Sequence, residues 1–219
     1  MEGTTTSGSR RSADAGPVPR HAVRAIERHL ASREERRRRL FERARALRRL
    51  AQQTMTRLHS GSASPAEVAR VQTELARLAR ALPTEFPGDE GLAEDALQEG
   101  VEAVLLAAAI DGDPFPTPSD LGVAPEPYLL GLGDVVGEIR RLALSELTLG
   151  EVDRAADRLA LMESVYHTLL GFETARAIVS LKPKQDTARA LLERTRGEVT
   201  MARLLHRAGV RTTEAGARE

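Results

Sequence analysis

Two pairs of acidic residues inside apolar helical segments constrain this chain more than any other feature. Glu99 and Glu102 lie in ALQEGVEAVLL, and Asp134 and Glu138 lie in LLGLGDVVGEIRRL. Spacings of three and four residues place both members of a pair on one face of a helix. Because the flanking residues are apolar, we expect these faces to point inward. Buried carboxylates one turn apart repel each other and lose hydration. The fold must therefore supply raised pKa values, a distant Arg or Lys, or a divalent metal ion.

The stretch around the two pairs carries no cation of its own. Residues 85–138 contain 13 Asp and Glu and no Lys, Arg or His. Residues 1–60 contain 15 Lys and Arg against 6 Asp and Glu, although the formal net charge of the chain is zero. This asymmetry predicts two surfaces with different roles, or, for the basic part, ordinary solvated helix faces.

The residue pattern predicts an all-α fold, because the chain contains no alternating run of Val, Ile and Thr of the kind that is typical of a strand. We expect residues 1–18 to form a disordered tail, 19–208 a single helical domain and 209–219 a frayed tail. Cysteine is absent, which excludes disulfides and thiolate metal sites. No apolar run approaches the ~18 residues that span a bilayer, and no apolar signal segment is evident. We therefore expect a cytoplasmic protein with no membrane partner.

Helical periodicity and breaker residues predict about seven helices. They lie near residues 19–59, 64–82, 89–110, 127–149, 151–170, 174–181 (a short helix or turn) and 183–206. Ser64 and Glu67 form a predicted capping box, and Asp89 is a predicted helix cap. Residues 111–127 are rich in Pro, Gly and Asp, which predicts an irregular connection. Gly131 and Gly133 lie within a helix, so they indicate close helix packing and not a phosphate loop.

The acid pairs have more than one interpretation from the residues alone. Carboxylate oxygens suit Mg²⁺ or Mn²⁺, so two pairs on two helices indicate a hard-metal site. Each pair could instead form a narrow polar stripe that faces solvent or a cavity. Arg140 and Arg141 follow the second pair directly and could neutralise it. The five histidines are scattered, and no two of them have the spacing of helical metal ligands.

Basic residues of the first and last helices are candidates for nucleic-acid binding, because Arg and Lys neutralise phosphates. The candidates are Arg36, Arg37, Arg38, Arg39, Arg43, Lys184, Arg189 and Arg196. The alternative for the first helix is an exposed face partly paired with Glu34, Glu35 and Glu42. No aromatic residues alternate with either group, so stacking on bases is not indicated.

Two motifs resemble the translin and translin-associated factor X (Trax) family, and its Trax-like archaeal members in particular. They are LQEGVEA at residues 97–103 and PYLLGLGDVVGEIRRLALSELTLGEVDRA at residues 127–155, joined by a Pro-rich connection. LALMESVYHTLLGFE and KQDTARALLERTRGEVT are similar to the last helices of the family. The resemblance covers roughly residues 20–205. Gly100 stands where the family has an aromatic residue, which we expect to loosen packing or widen the site. Pro127 stands where an Asp usually precedes Tyr128.

The resemblance implies a translin-like bundle of about seven helices with a long first helix, assembling into a homo-octameric ring or shell. It implies an Mg²⁺- or Mn²⁺-dependent endoribonuclease that cleaves single-stranded RNA inside the shell. The catalytic residues would be Glu99, Glu102, Asp134 and Glu138, with Glu102 and Glu138 as direct metal ligands. The alternative is a non-catalytic translin-like protein that binds single-stranded RNA or DNA. A redox dimetal bundle is a third reading, but it normally requires Glu-x-x-His pairs that these helices do not offer.

Overall fold

The computed structural model describes residues 18–172 and 178–209. Within these ranges there are seven α-helices and no strand, which confirms the all-α prediction. The helices are α1 Arg20–His59, α2 Pro65–Glu85, α3 Glu94–Asp111, α4 Pro118–Leu121, α5 Pro125–Thr148, α6 Val152–Leu170 and α7 Leu181–Arg207, and a 3-10 turn at Glu90–Ala93 precedes α3. No helix in these two ranges combines the length and the apolar character needed to cross a membrane.

Helices α3 and α5 form the centre of the bundle. Helix α3 packs against α1, α2 and α5, and α5 also packs against α6 and α7. Both central helices are apolar on most of their circumference because they contact neighbours on several sides. Leu75, Leu105, Leu106, Ile139 and Met162 are among the fully buried side chains that join these layers. An acidic residue on the α3–α5 face is therefore held close to the middle of the fold.

Two glycines of α5 allow its backbone to approach both neighbours closely. A methyl group on Gly131 would lie 2.8 Å from the carbonyl oxygen of Gln98 and 2.8 Å from Val101 Cγ1 on α3. One on Gly133 would lie 2.7 Å from Lys184 Cβ on α7. Such distances are well below the ordinary separation of about 3.5–4.0 Å between carbon atoms. The predicted close helix packing at these glycines is confirmed.

Capping boxes start two of the helices. The backbone N–H of Ser64 donates to Glu67 Oε2 at 2.9 Å at the start of α2, as predicted. The backbone N–H of Thr117 donates to Asp120 at 2.8 Å, and the N–H of Asp120 donates to Thr117 Oγ1 at 3.2 Å. This second box starts α4, so the prediction that residues 111–127 are irregular throughout is wrong.

Three predicted helix boundaries also need correction. Helix α2 continues through Pro83, α5 begins at Pro125, and α7 begins at Leu181. Pro183 lies in the first turn of α7, where the missing N–H costs no intrahelical bond. Of the predicted short helix at 174–181, residues 178–180 are not helical, and residues 174–177 lie outside the described part. Most of both predicted tails, residues 1–17 and 210–219, also lies outside it.

Asp89 does not cap a helix with its side chain, contrary to the prediction. Its buried carboxylate accepts a hydrogen bond from the guanidinium of Arg37, and Arg33 lies 3.7 Å away. This contact ties α1 to the turn before α3. Residues 20–32 of α1, here called the overhang, precede the contact, and none of them is buried.

Candidate functional site

The four predicted carboxylates lie on the facing central helices. Glu99 and Glu102 are on α3, and Asp134 and Glu138 are on α5. The close approach at Gly131 brings these two helices together. The negative charges of Asp134, Glu138 and Glu99 all act on Glu102 and raise its pKa. We refer to these four residues as the acid cluster.

Glu102 is the electrostatic centre of the acid cluster. Burial raises the pKa of its carboxyl group most, and the charges of Asp134, Glu138 and Glu99 raise it further, to about 8. The ammonium of Lys184 acts in the opposite direction. Glu102 makes no hydrogen bond or ion pair with any residue that the structure describes. Near neutral pH it therefore holds a proton or requires another cation.

Two of the other carboxylates are matched by cations from flanking helices. Arg48 Nε on α1 lies 2.6 Å from Glu99 Oε1. Lys184 Nζ on α7 donates to Asp134 Oδ1 at 2.6 Å, and the side-chain amide of Gln98 donates to the other oxygen of Asp134. The Lys184 stem packs where Gly133 lacks a side chain, so the ammonium is held against α5.

Glu138 contacts a histidine at the end of α1. Its carboxylate pairs with His59 Nε2, and the His59 side chain is only 8% exposed. Arg141 lies 3.9 Å from the same carboxylate oxygen. Arg140 turns to α7 and donates to both carboxylate oxygens of Glu198 at 2.6 and 2.9 Å. Of the two arginines that could neutralise Asp134 and Glu138, Arg141 thus makes one long contact, with Glu138, and Arg140 makes none.

The acid cluster has the donor chemistry of a hard-cation site, but its side chains are not arranged as a finished one. Across the described ranges, no group of three or more His, Asp or Glu side chains is placed to hold a metal ion as it stands. However, Glu99 Oε2 is buried without a hydrogen-bond partner, and Glu102 has no ion-pair partner among the described residues. Carboxylate oxygens are the ligands that Mg²⁺ and Mn²⁺ prefer. The residues therefore fit such an ion chemically, with the Lys184 ammonium as a competing cation and His59 already in contact with Glu138.

Gly100 does not widen the acid cluster, contrary to expectation. A methyl group there would meet Leu75 Cδ1 at 3.0 Å and the Leu47 side chain at 3.6 Å. Gly100 therefore faces the apolar core between α1, α2 and α3, on the other side of the helix from Glu102. Pro127, the second departure from the family pattern, is buried in the first turn of α5.

Most of the predicted nucleic-acid-binding residues are already engaged with acidic partners. These ion pairs are Arg37 with Asp89, Arg38 with Glu35 and Glu42, Arg43 with Glu85, Lys184 with Asp134, Arg189 with Glu193, and Arg196 with Glu163. The Arg43 guanidinium also lies 5.5 Å from the centre of the Phe86 ring. Lys184 contacts the acid cluster through Asp134 and is not part of a separate basic surface.

Arg36 and Arg39 make no ion pair with a described residue, but they lie away from the acid cluster. Arg39 precedes Arg48 by nine positions, which is two and a half helical turns. Since Arg48 contacts Glu99, Arg39 points to the opposite side of α1. The structure thus brings the four predicted carboxylates together, but it does not bring the predicted arginine run to them.

Sequence reasoning missed three neighbours of the acid cluster: Arg48, His59 and Gln98. Arg48 and His59 lie on α1, and no pattern around them signals a contact with α3 or α5. The absence of Lys, Arg and His from residues 85–138 did indicate that a distant cation was needed. It could not indicate which of the many arginines would supply it.

Solved structures with the same architecture support this description. The chain is similar to AfC3PO in the structure of its complex with duplex RNA, with 30% identity and a TM-score of 0.73, over 84% of this chain and 97% of that chain. A crystal structure of AfC3PO gives 31% identity and a TM-score of 0.69, over 84% and 96%. Apo-NeC3PO, at 22% identity and a TM-score of 0.73 over 82% and 96%, shares the fold.

Sequence comparisons point to the same group of proteins. An uncharacterized protein of Methanocaldococcus jannaschii is 35% identical over 118 residues, which is 52% of this chain and 52% of that protein. The chain thus spans about half the length of this curated relative. The model of the translin family matches residues 98–196, which include the acid cluster and most of α7. Together with the likeness to AfC3PO over nearly its whole length, this match identifies the chain as a member of the translin family.

Proposed function

We propose that this chain binds RNA and that the acid cluster makes it an Mg²⁺- or Mn²⁺-dependent endoribonuclease acting on single-stranded RNA. The observation that carries the proposal is Glu102, which is partly buried near three other carboxylates and has no ion-pair or hydrogen-bond partner among the described residues. The similarity to AfC3PO, whose structure was determined with duplex RNA, supports the RNA-binding part. Single-stranded DNA is a further candidate ligand.

The residues of the acid cluster divide into two roles in this proposal. Glu102 and Glu138 would hold the ion. When bound, Mg²⁺ supplies polarisation of a phosphoryl oxygen and a lowered pKa of a coordinated water. Glu99 or Asp134 would orient or deprotonate the attacking water as a general base. Glu99 Oε2 has no hydrogen-bond partner among the described residues, whereas Oε1 is paired with Arg48, so Oε2 would be the oxygen that accepts such a proton.

We also propose that the chain works as a homo-oligomer, specifically a homo-octameric shell. The overhang of α1 exposes Val23, Ile26 and Leu30, of which Ile26 and Leu30 are more than half exposed. These side chains recur at steps of three and four, so they form one apolar stripe. Apolar surface of this kind is commonly covered by a neighbouring subunit.

The test is a double variant, Glu102→Ala with Glu138→Ala, incubated with labelled single-stranded and duplex RNA in Mg²⁺ or in EDTA. We expect the wild-type protein to cleave only with Mg²⁺. The double variant should lose cleavage by about 100-fold or more, the scale of a lost catalytic group, while it still binds RNA. Glu42→Ala, at an exposed residue paired with Arg38, is the control. Unchanged cleavage by the double variant would refute the nuclease proposal.

A second candidate function is RNA binding without cleavage. The observation that favours it is that Glu99 and Asp134 are each paired with a cation, and Glu138 contacts His59 and lies 3.9 Å from Arg141, so the acid cluster can be stable without a metal. A shift of labelled RNA in a gel, with no cleavage in Mg²⁺ or EDTA, would select this function.

A further inference from the structure

Two arginines of α1 that pair with no described residue flank Arg48, the arginine of that helix that contacts Glu99. Arg45 and Arg49 are exposed, and neither makes an ion pair or hydrogen bond with a residue that the structure describes. Arg37, Arg38 and Arg43, by contrast, are each held by a carboxylate. An arginine with no acidic partner keeps its full charge and all its donors for a ligand.

The position of these arginines relates them to the acid cluster. Arg45 lies three residues before Arg48, whose guanidinium contacts Glu99. Arg49 lies one turn after Arg45 on the same flank of the helix. The face continues at seven-residue steps from Arg45 through the exposed Gln52 to His59, which contacts Glu138. One flank of α1 therefore runs along the acid cluster, with unpaired positive charge at one end.

The charges of this flank suit a phosphate chain. An anionic polymer that approaches four carboxylates is repelled unless cations beside them compensate. Arg48, Lys184 and His59 are occupied by the carboxylates themselves, so they offer little to an incoming phosphate. Arg45 and Arg49 lie within one helical turn of Arg48 and have no carboxylate partner among the described residues, so they can neutralise phosphates as counterions are released.

We propose that Arg45 and Arg49 are the phosphate contacts that bring single-stranded RNA to the acid cluster, and that the ion-paired arginines Arg38, Arg43, Arg189 and Arg196 are not. This inference rests on the proposed RNA binding and names the surface responsible for it. It also separates two groups of arginines that the sequence alone does not distinguish.

The experiment measures the affinity of a fluorescently labelled single-stranded RNA by anisotropy in EDTA, where no cleavage occurs, over a series of NaCl concentrations. For single strands, each phosphate contact contributes about 0.7 to the slope of log K against log[salt]. Arg45→Ala with Arg49→Ala should therefore reduce the slope by about 1.4, and it should weaken binding by roughly 10- to 30-fold near 0.1 M salt.

Two control variants make the result specific. Arg38→Ala removes an exposed arginine of the same helix that is paired with Glu35 and Glu42, and it should leave the slope unchanged. Arg45→Lys with Arg49→Lys keeps the charges and should restore most of the slope. Because Arg45 and Arg49 are exposed and unpaired, their replacement by alanine should leave the thermal unfolding of the protein unchanged.

The outcomes separate this inference from the proposed function. If wild-type protein binds RNA and the Arg45/Arg49 double variant binds with the same slope, the inference is wrong and RNA binding stands. An equal loss of slope in Arg38→Ala would also overturn the inference, since the paired arginines would then be contacts. If the wild-type protein binds no RNA at any salt concentration, the proposed function falls, and the inference falls with it.

Discussion

Replacing Gly131 by alanine places a methyl group where α3 already lies. The added carbon would be 2.8 Å from the Gln98 carbonyl oxygen, 2.8 Å from Val101 Cγ1 and 2.9 Å from Val101 Cβ. A backbone oxygen cannot rotate away as a side chain can, so α3 and α5 must separate by up to about 1 Å to restore ordinary contacts. The strain falls on the contact that brings the acid cluster together.

The expected size follows from two opposing effects. Overpacking a well-packed core costs about 1–3 kcal/mol, and the backbone contact places this variant toward the upper end. Alanine is more favourable than glycine inside a helix by about 1 kcal/mol. The net loss should therefore be about 1–2 kcal/mol in the free energy of unfolding. For a chain of this size, that loss lowers Tm by roughly 2–8 °C.

Gly137 supplies the matched control on the same helix. A methyl group there meets only Leu191 Cδ1, at an ordinary distance of 3.8 Å. Gly137→Ala should therefore be neutral or stabilising by up to about 1 kcal/mol, because only the helix-propensity effect acts. Urea unfolding followed by far-UV circular dichroism, at one fixed protein concentration, measures both variants.

The two variants should thus change stability in opposite directions. If Gly131→Ala proves as stable as Gly137→Ala, the close approach of α3 and α5 is not what holds this part of the bundle. The same result would remove the explanation for the proximity of the carboxylates, since they depend on that approach.

Two further predictions concern the partly buried Glu102 and the buried Asp89. The pKa of Glu102 is raised from its ordinary value of 4.5 to about 8, so the folded protein binds one more proton than the unfolded chain between these values, and its free energy of unfolding falls as pH rises through 8. In EDTA, Glu102→Gln should reduce this fall by a few kcal/mol, measured by urea unfolding from pH 5 to 9. An unchanged pH profile of the variant would contradict the prediction. Asp89 is buried against the half-exposed Arg37, so Asp89→Asn should lower the free energy of unfolding by about 1–2 kcal/mol; a variant as stable as wild type would show that this contact does not anchor α1.

Local sequence was sufficient to predict which residues of α3 and α5 share a face. Residues spaced as Glu99–Glu102 and Asp134–Glu138 share a face in any regular helix. Gly131 and Gly133 have no side chain, so they allow a neighbouring helix to approach closely wherever it lies. Local signals also explain one error. Thr117 and Asp120 repeat the capping box of Ser64 and Glu67, but the surrounding prolines favoured an irregular connection.

The partners of the charged side chains could not be predicted, because they depend on how helices pack. Arg48 and Arg49 are adjacent in the sequence, yet Arg48 contacts Glu99 and Arg49 contacts no acidic residue. Asp89 has the residue type and position of a cap, but the proximity of Arg37 gives its carboxylate a different partner. Successive side chains of a helix point 100° apart, and the position of the neighbouring helices determines which of the charged ones form ion pairs.

The long first helix has a consequence for how the molecule opens. Its residues 20–39 contribute no buried side chain, whereas Leu40, Ala44, Leu47 and Ala51 lie in the core. Amide protons of the first half should exchange with solvent through local fraying, and those of the second half only through global unfolding. One continuous helix therefore contains two cooperative units, divided near Leu40. Slow amide exchange in residues 20–39 would show that another molecule covers that half of the helix.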